Sequence, residues 1–141
     1  MHPRAAHTTG DLVMALARRV RRAYAEELGE WHVTPSQSRA LRVLGSEDGM
    51  RPSVLAEELR IAPRSATEVV DALVGRGWVQ RAPDPTDRRA TTLTLTRDGR
   101  ELVSRIDDVR REASERVLDV LSAAQRRTLH QILTVAVGED P

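Results

Sequence analysis

Apolar residues recur at helical spacing along most of the chain and switch to strict alternation in one short stretch. Val13, Leu16, Ala17, Val20, Tyr24 and Leu28 share one face of a helix predicted over residues 12–28, with Gly29 as its stop. Thr34-Pro35-Ser36-Gln37 opens a second helix. There Thr34 caps, Pro35 suits the first helical position and Gln37 closes a capping box. Ala40, Leu41 and Leu44 form the inner stripe of that helix, and a turn-rich segment follows over 46–49. Pro52-Ser53 begins a short helix carrying Val54, Leu55 and Leu59. After the brief connection Arg60-Ile61-Ala62, Pro63 starts another helix that ends near Gly75-Arg76-Gly77. Ala62 is a poor cap, so the fixed φ of Pro63 has to set that start.

Beyond Gly77 the period becomes two. Residues 78–82 and 90–95 read as strands. The segment between them, Pro83-Asp84-Pro85-Thr86-Asp87-Arg88-Arg89, holds two prolines that stop either strand from continuing. Thr96 then caps a long helix on which Leu102, Ile106, Val109, Ala113, Val117 and Leu121 recur at steps of three and four. Ser122-Ala123-Ala124-Gln125 is a second capping box, opening a last helix with Leu129, Ile132, Leu133 and Ala136 inside.

The two short helices around Arg60 have the separation of a helix-turn-helix. On the second, at about 100° per residue, Ala66, Val69, Val70 and Leu73 form a narrow aliphatic stripe opposite Arg64, Thr67, Glu68 and Asp71. A helix that reads base edges needs that chemistry. Arg donates two bonds to guanine, Ser and Thr bond either way, and Glu accepts from cytosine. The first turn usually does the reading, which selects Arg64, Ser65, Thr67 and Glu68. The bland alternative is an amphipathic helix with a solvated face. Two carboxylates there would repel phosphates unless they meet bases or paired arginines. The hairpin that follows places Arg88 and Arg89 on its connecting loop. Asp87 and Arg89 project to one side of an extended segment, so Asp87 is expected to orient the Arg89 guanidinium. An arginine on a thin wing suits a minor groove.

These stretches resemble the MarR-type (multiple antibiotic resistance) regulators. The helix-turn-helix resemblance is carried by Leu55-Ala56-Glu57-Glu58-Leu59, Ile61-Ala62-Pro63-Arg64-Ser65-Ala66-Thr67, Val70-Asp71-Ala72-Leu73 and Gly77-Trp78-Val79. The wing resemblance is carried by Asp84-Pro85-Thr86-Asp87-Arg88-Arg89 and Leu93-Thr94-Leu95-Thr96-Arg97-Asp98-Gly99. The resemblance implies a mainly α fold with a small β-wing. It implies a homodimer on pseudo-palindromic double-stranded DNA, with the recognition helix, about 63–76, in the major groove and the wing, 83–90, in the minor groove. Arg89 is the position matching the family's wing arginine. Many relatives release DNA when a small, often aromatic, ligand binds between the dimer and DNA-binding lobes. Tyr24, Trp31 and His32, near the junction of the first two helices, are the candidates for such a pocket, with plain junction packing as the alternative reading. The expected layout is a loosely ordered N-terminus over 1–10, an N-terminal dimerisation helix over 11–33, a winged helix-turn-helix over 34–96 and C-terminal dimerisation helices over 97–141.

Composition narrows the rest. The formal net charge is only +1, so any DNA affinity must come from clustered charge. All 22 basic residues are Arg, whose planar fork suits phosphates and guanine edges. Phe is absent and aromatics make up 2%, which argues against stacking platforms for single strands. With no Cys, disulfides and thiolate metal sites are excluded. His2, His7, His32 and His130 lack metal-ligand spacing, so no metal or other cofactor is expected. No apolar run is long enough for a membrane helix, and residues 1–10 lack a signal peptide's apolar core, so a cytoplasmic protein is expected. No nucleophile-base pair, phosphate loop or Gly-x-Ser-x-Gly appears, and Glu57 and Glu58 diverge on a helix, so no enzyme is expected. Arg18, Arg19, Arg21 and Arg22 read most simply as a solvated helix face. A winged helix that binds a protein instead of DNA is the competing function.

Overall fold

The structure, a computed structural model, describes residues 7–138. Its elements run α1 (Thr9–Glu30), α2 (Pro35–Gly45), α3 (Pro52–Leu59), α4 (Pro63–Gly75), β1 (Val79–Pro83), β2 (Thr91–Leu95), α5 (Arg97–Val117) and α6 (Ala123–Val137). This is the mainly helical winged fold that the pattern predicts. Both capping boxes form: Thr34 and Ser122 each accept from the backbone of Gln37 and Gln125, whose side chains return the bond. At α4, Pro63 stands in the first turn and Ala62 makes no side-chain cap, as expected.

Both ends of α1 differ from the prediction. Part of the expected loose N-terminus, residues 1–6, lies outside the described residues, but the helix already begins at Thr9. The cause is a box between Thr8 and Asp11. The Asp11 carboxylate accepts the Thr8 N–H at 2.9 Å and its hydroxyl at 2.8 Å, and the Asp11 N–H donates to Thr8 Oγ1 at 3.1 Å. Those bonds, the backbone one first, hold the Asp11 carboxyl below the usual carboxylate range. At the other end the helix passes Gly29 and stops where His32 turns left-handed (φ 54°). The N–H groups of Val33 and His32 there bond back to the carbonyls of Leu28 and Gly29. Burial of Leu28 and Val33 holds this motif in place of a glycine.

The chain forms two compact units, one of residues 25–109 and one of the residues up to 24 with those from 110 onward; the boundaries fall inside α1 and α5. The 25–109 unit contains nearly all of the buried apolar residues. Leu41, Leu55, Leu59, Ala66, Val70, Leu73, Val79, Leu93 and Leu95 are among them, and Ala113 is the one buried hydrophobic outside it among the described residues. β1 and β2 pair antiparallel, from Val79 opposite Leu95 to Pro83 opposite Thr91. Met50 adds a bridge on the free edge of β2, exchanging two backbone bonds with Leu93 at 3.0 and 2.8 Å.

The Leu-x-Leu-Thr-x-x-Gly stretch has a direct physical account. Leu93 and Leu95 fill the core beneath the hairpin. Thr96 donates its hydroxyl to the Gly77 carbonyl at 2.6 Å, accepts the Gly99 N–H at 3.0 Å, and donates its own N–H to the Trp78 carbonyl. It therefore closes the hairpin and caps α5 at once. Gly99 sits so close to the Trp78 carbonyl that a Cβ there would overlap its oxygen. Gly99→Ala is therefore expected to destabilise the protein by about 2–4 kcal/mol through backbone displacement. Denaturant unfolding followed by circular dichroism measures this, and a loss below about 0.5 kcal/mol would contradict the close approach.

Candidate nucleic-acid interface

The residues selected from the sequence lie on the exposed side of α4 and on the hairpin loop. Arg64, Ser65, Thr67, Glu68 and Asp71 are exposed, while Ala66, Val70 and Leu73 are buried and Val69 is half-buried. The narrow stripe is thus the seat of α4 in the lobe, and its opposite face is open. Thr67 donates its hydroxyl to the Pro63 carbonyl at 3.0 Å, so its methyl and remaining lone pair are what it presents.

The two carboxylates on that face are each matched by an arginine. Glu68 lies 3.7 Å from Arg64, one helical turn away, and both are highly exposed. An exposed pair of this kind adds little to stability but presents the two groups together. Asp71 bonds Arg81 of β1 at 2.5 Å. Arg81 therefore reaches from the first wing strand onto the face that carries Arg64, and ties the hairpin to that side of the helix.

A second tie, not anticipated from the sequence, is built around Asp84. Its side chain is only 10% exposed. One oxygen accepts the Arg51 Nε–H at 2.9 Å, with Thr92 Oγ1 at 3.4 Å. The other accepts the Thr86 N–H at 2.8 Å, the Thr86 hydroxyl at 2.7 Å and the Asp87 N–H at 3.1 Å. The Arg51 bond first, and then those from Thr86, hold the Asp84 carboxyl far below the usual carboxylate range. Arg51 is the residue that opens α3, so the root of the wing loop is pinned to the start of the helix-turn-helix. An Asp followed two residues later by Thr is a turn signal in sequence, but the distant partner, 33 positions away, leaves no local trace.

Asp87 acts differently from the expectation. Its carboxylate accepts the Arg89 backbone N–H at 3.0 Å, and its carbonyl accepts the Ala90 N–H at 2.9 Å. It shapes the backbone of the loop instead of orienting the Arg89 guanidinium, because a carboxylate two residues back reaches the nearer N–H first. Arg88 and Arg89 are exposed, and no side chain among the described residues pairs with either.

The suggested pocket residues are placed as follows. Trp31 is half-buried and His32 exposed, and their carbonyls accept from Arg76 at 3.5 and 3.1 Å. The Arg76 guanidinium also lies 4.0 Å from the Trp78 ring centroid. The end of α4 is thereby joined to the turn after α1, a link that sequence spacing does not reveal. Tyr24, in the other unit, has the Arg110 guanidinium 5.9 Å from its ring. Among the described residues no cluster of His, Asp and Glu fits a metal ion, and no helix is long and apolar enough to cross a membrane.

The Asp84 tie makes the lobe sensitive to acid. Asp84 has a folded-state pKa below its unfolded value, so its contribution is present above the ordinary carboxylate range, near about pH 4, and is lost as pH falls through the lower folded value. In Asp84→Asn that contribution is absent at every pH. The gap in melting temperature between wild type and variant is expected to stay constant above about pH 5 and to narrow from there down to about pH 2. Thermal melts across that range check it, and a gap still constant at the acid end would contradict the role given to the carboxylate.

Comparison with known proteins agrees with this geometry. The sequence model of the MarR family matches residues 33–91, from the end of the α1–α2 turn into β2. An uncharacterised HTH-type transcriptional regulator of Mycobacterium bovis is 34% identical over 112 residues, covering 77% of this chain and 78% of that protein. The MarR family protein Rv2887 of Mycobacterium tuberculosis, 27% identical, has been solved in complex with DNA, with a TM-score of 0.80 over 95% of this chain and 100% of that chain. Its complex with salicylic acid gives 0.75 over 94% and 98%. Apo wild-type MarR from Escherichia coli, at 23% identity, shares the fold with a TM-score of 0.84 over 93% and 97% of the two chains. With its hairpin tied to the open face of α4, its residues 33–91 matched by the family model and a regulator 34% identical over 77% of its length, the chain belongs to the MarR family of HTH-type transcriptional regulators.

Proposed function

We propose that this regulator is a homodimer that binds pseudo-palindromic double-stranded DNA, with α4 in the major groove and the 83–90 loop in the minor groove, and that it acts as a repressor released by a small aromatic ligand. One observation carries the DNA reading. Glu68 and Asp71 on the face and Asp84 at the loop root each have an arginine, while the Arg88 and Arg89 guanidiniums have no carboxylate among the described residues. Local pairing of this kind gives a near-neutral chain the clustered positive charge that phosphates require. In this reading Arg64 and Glu68 meet base edges as a pair, Ser65 and Thr67 bond beside them, and Arg89, with Arg88, enters the minor groove on a loop shaped by Asp87.

The dimer reading rests on a mismatch between the two units. Among the described residues, the unit outside 25–109 buries only Ala113, yet exposes Leu12, Val13, Met14, Val120, Ile132, Val135 and Val137. Helices with so little core of their own call for an apolar partner, and a second copy supplies one with matching symmetry. We assign dimerisation to 11–33 and 97–141 and DNA binding to 34–96. Two α4 helices would then read half-sites about one DNA turn apart. The salicylic acid complex of Rv2887 suggests an aromatic acid as the effector class, with Tyr24, Trp31 and His32 as the candidate contacts. No catalysis is assigned, and the cytoplasm is the compartment that suits a DNA-bound regulator.

Mobility shifts with the DNA upstream of its own gene are expected to show binding that weakens steeply with salt. Arg89→Ala should weaken binding across sequences, and Arg64→Ala should relax preference at one base pair per half-site by about 1–3 kcal/mol. An Arg89→Ala protein that binds with unchanged affinity would remove the wing from the interface. For the dimer, wild type should sediment as two chains. Val135→Asp, which would be nearly neutral at a solvated site, should shift it towards one chain. A wild-type monomer at micromolar concentration would overturn the assembly.

A further inference from the structure

The turn of the helix-turn-helix contains a residue in an unfavourable place. Arg60 follows α3 with φ 54° and ψ 46°, the left-handed region that glycine occupies freely and that other side chains enter at a steric penalty. The reversal has a structural use. The Arg60 N–H caps the end of α3 on the Ala56 and Glu57 carbonyls, and the Ile61 N–H returns to Ala56 at 3.1 Å. Ile61 is drawn inward, where it lines a small cavity of about 50 Å³ with Leu59, Val69, Ser36 and Arg39. Arg60 itself is exposed, and among the described residues no carboxylate, carbonyl or ring holds its guanidinium. Glycine would satisfy every backbone requirement of this turn with less strain. The side chain therefore contributes nothing to the fold that offsets its conformational penalty.

Its position suggests what it contributes instead. Arg60 ends the first helix of the motif, the one that crosses the DNA backbone in helix-turn-helix docking, and stands three residues before the start of α4. Beside it the Arg39 guanidinium covers the Glu58 carbonyl at 3.3 Å, which reduces the negative end of the α3 dipole at this corner. We infer that Arg60 is a backbone-phosphate contact, retained against conformational strain, that sets the register of α4 without reading sequence. The inference rests on the DNA-binding reading above and deepens it.

A contact to phosphate is independent of sequence, so a mixed-sequence duplex of about 30 base pairs serves as the probe. Binding of the full-length wild type, Arg60→Gly, Arg60→Asn and Arg60→Lys is measured over a salt series, with thermal melts of each free protein. Arg60→Gly is expected to melt about 2–4 °C higher while binding roughly 10-fold more weakly at about 0.15 M salt. Its slope of log affinity against log salt should be shallower by about 1.8 per dimer, one phosphate from each subunit. Arg60→Asn, which tolerates the left-handed region, should lose the same slope without glycine's added chain freedom, and Arg60→Lys should keep it. Wild-type slopes in both Arg60→Gly and Arg60→Asn would overturn the phosphate contact alone. A melting temperature unchanged or lowered in Arg60→Gly would overturn the claim of retained strain. No salt-dependent binding by the wild type would overturn the DNA-binding reading, and this inference with it.

Discussion

The interface hangs on one nearly buried carboxylate. Asp84 gathers the Arg51 guanidinium, the Thr86 hydroxyl and two loop N–H groups at the point where the hairpin loop leaves β1. A charge taken this far out of water is tolerable only when fully bonded, and here each of its oxygens accepts at least one close donor. The consequence is geometric. The loop carrying Arg88 and Arg89 has no core of its own, so its direction relative to α4 must come from its root. Arg51 fixes that root to α3, and Arg81 fixes the strand before it to Asp71 of α4.

This arrangement also resolves an apparent conflict in charge. A chain of formal charge +1 with acidic residues on its reading helix looks poorly suited to a polyanion. The lobe answers by matching Glu68 and Asp71 of α4 and Asp84 of the loop root with arginines, which leaves Arg88 and Arg89 at the loop and Arg60 at the turn without a carboxylate partner among the described residues. Thr96 and Gly99 perform the corresponding service on the other side of the hairpin, where one hydroxyl and one missing Cβ let β2 pass directly into α5.

The sequence by itself determined the existence of every helix and both strands, because periodicity, prolines at first helical turns and the boxes at Thr34 and Ser122 are local signals, but its apolar spacing carried the long helix to Leu121, past its end at Val117. It also determined which residues of α4 face outward, since Ala66, Val70 and Leu73 leave only one way to seat that helix. The two ends of α1 differ in kind: the Thr8–Asp11 box is a local signal, whereas the stop at His32 depends on burial of Val33. Tertiary structure alone decided the partners that are distant in the chain: Arg51 with Asp84, Asp71 with Arg81, Arg76 with the Trp31 and His32 carbonyls, and Met50 with Leu93. It also decided that Arg60 lies in the left-handed region, whereas the bond that the Arg89 N–H donates to Asp87 is a local contact. The physical reason is range. Helix and strand formation follow from contacts within a few residues, whereas the pairing of a charge depends on which element the packed core brings beside it.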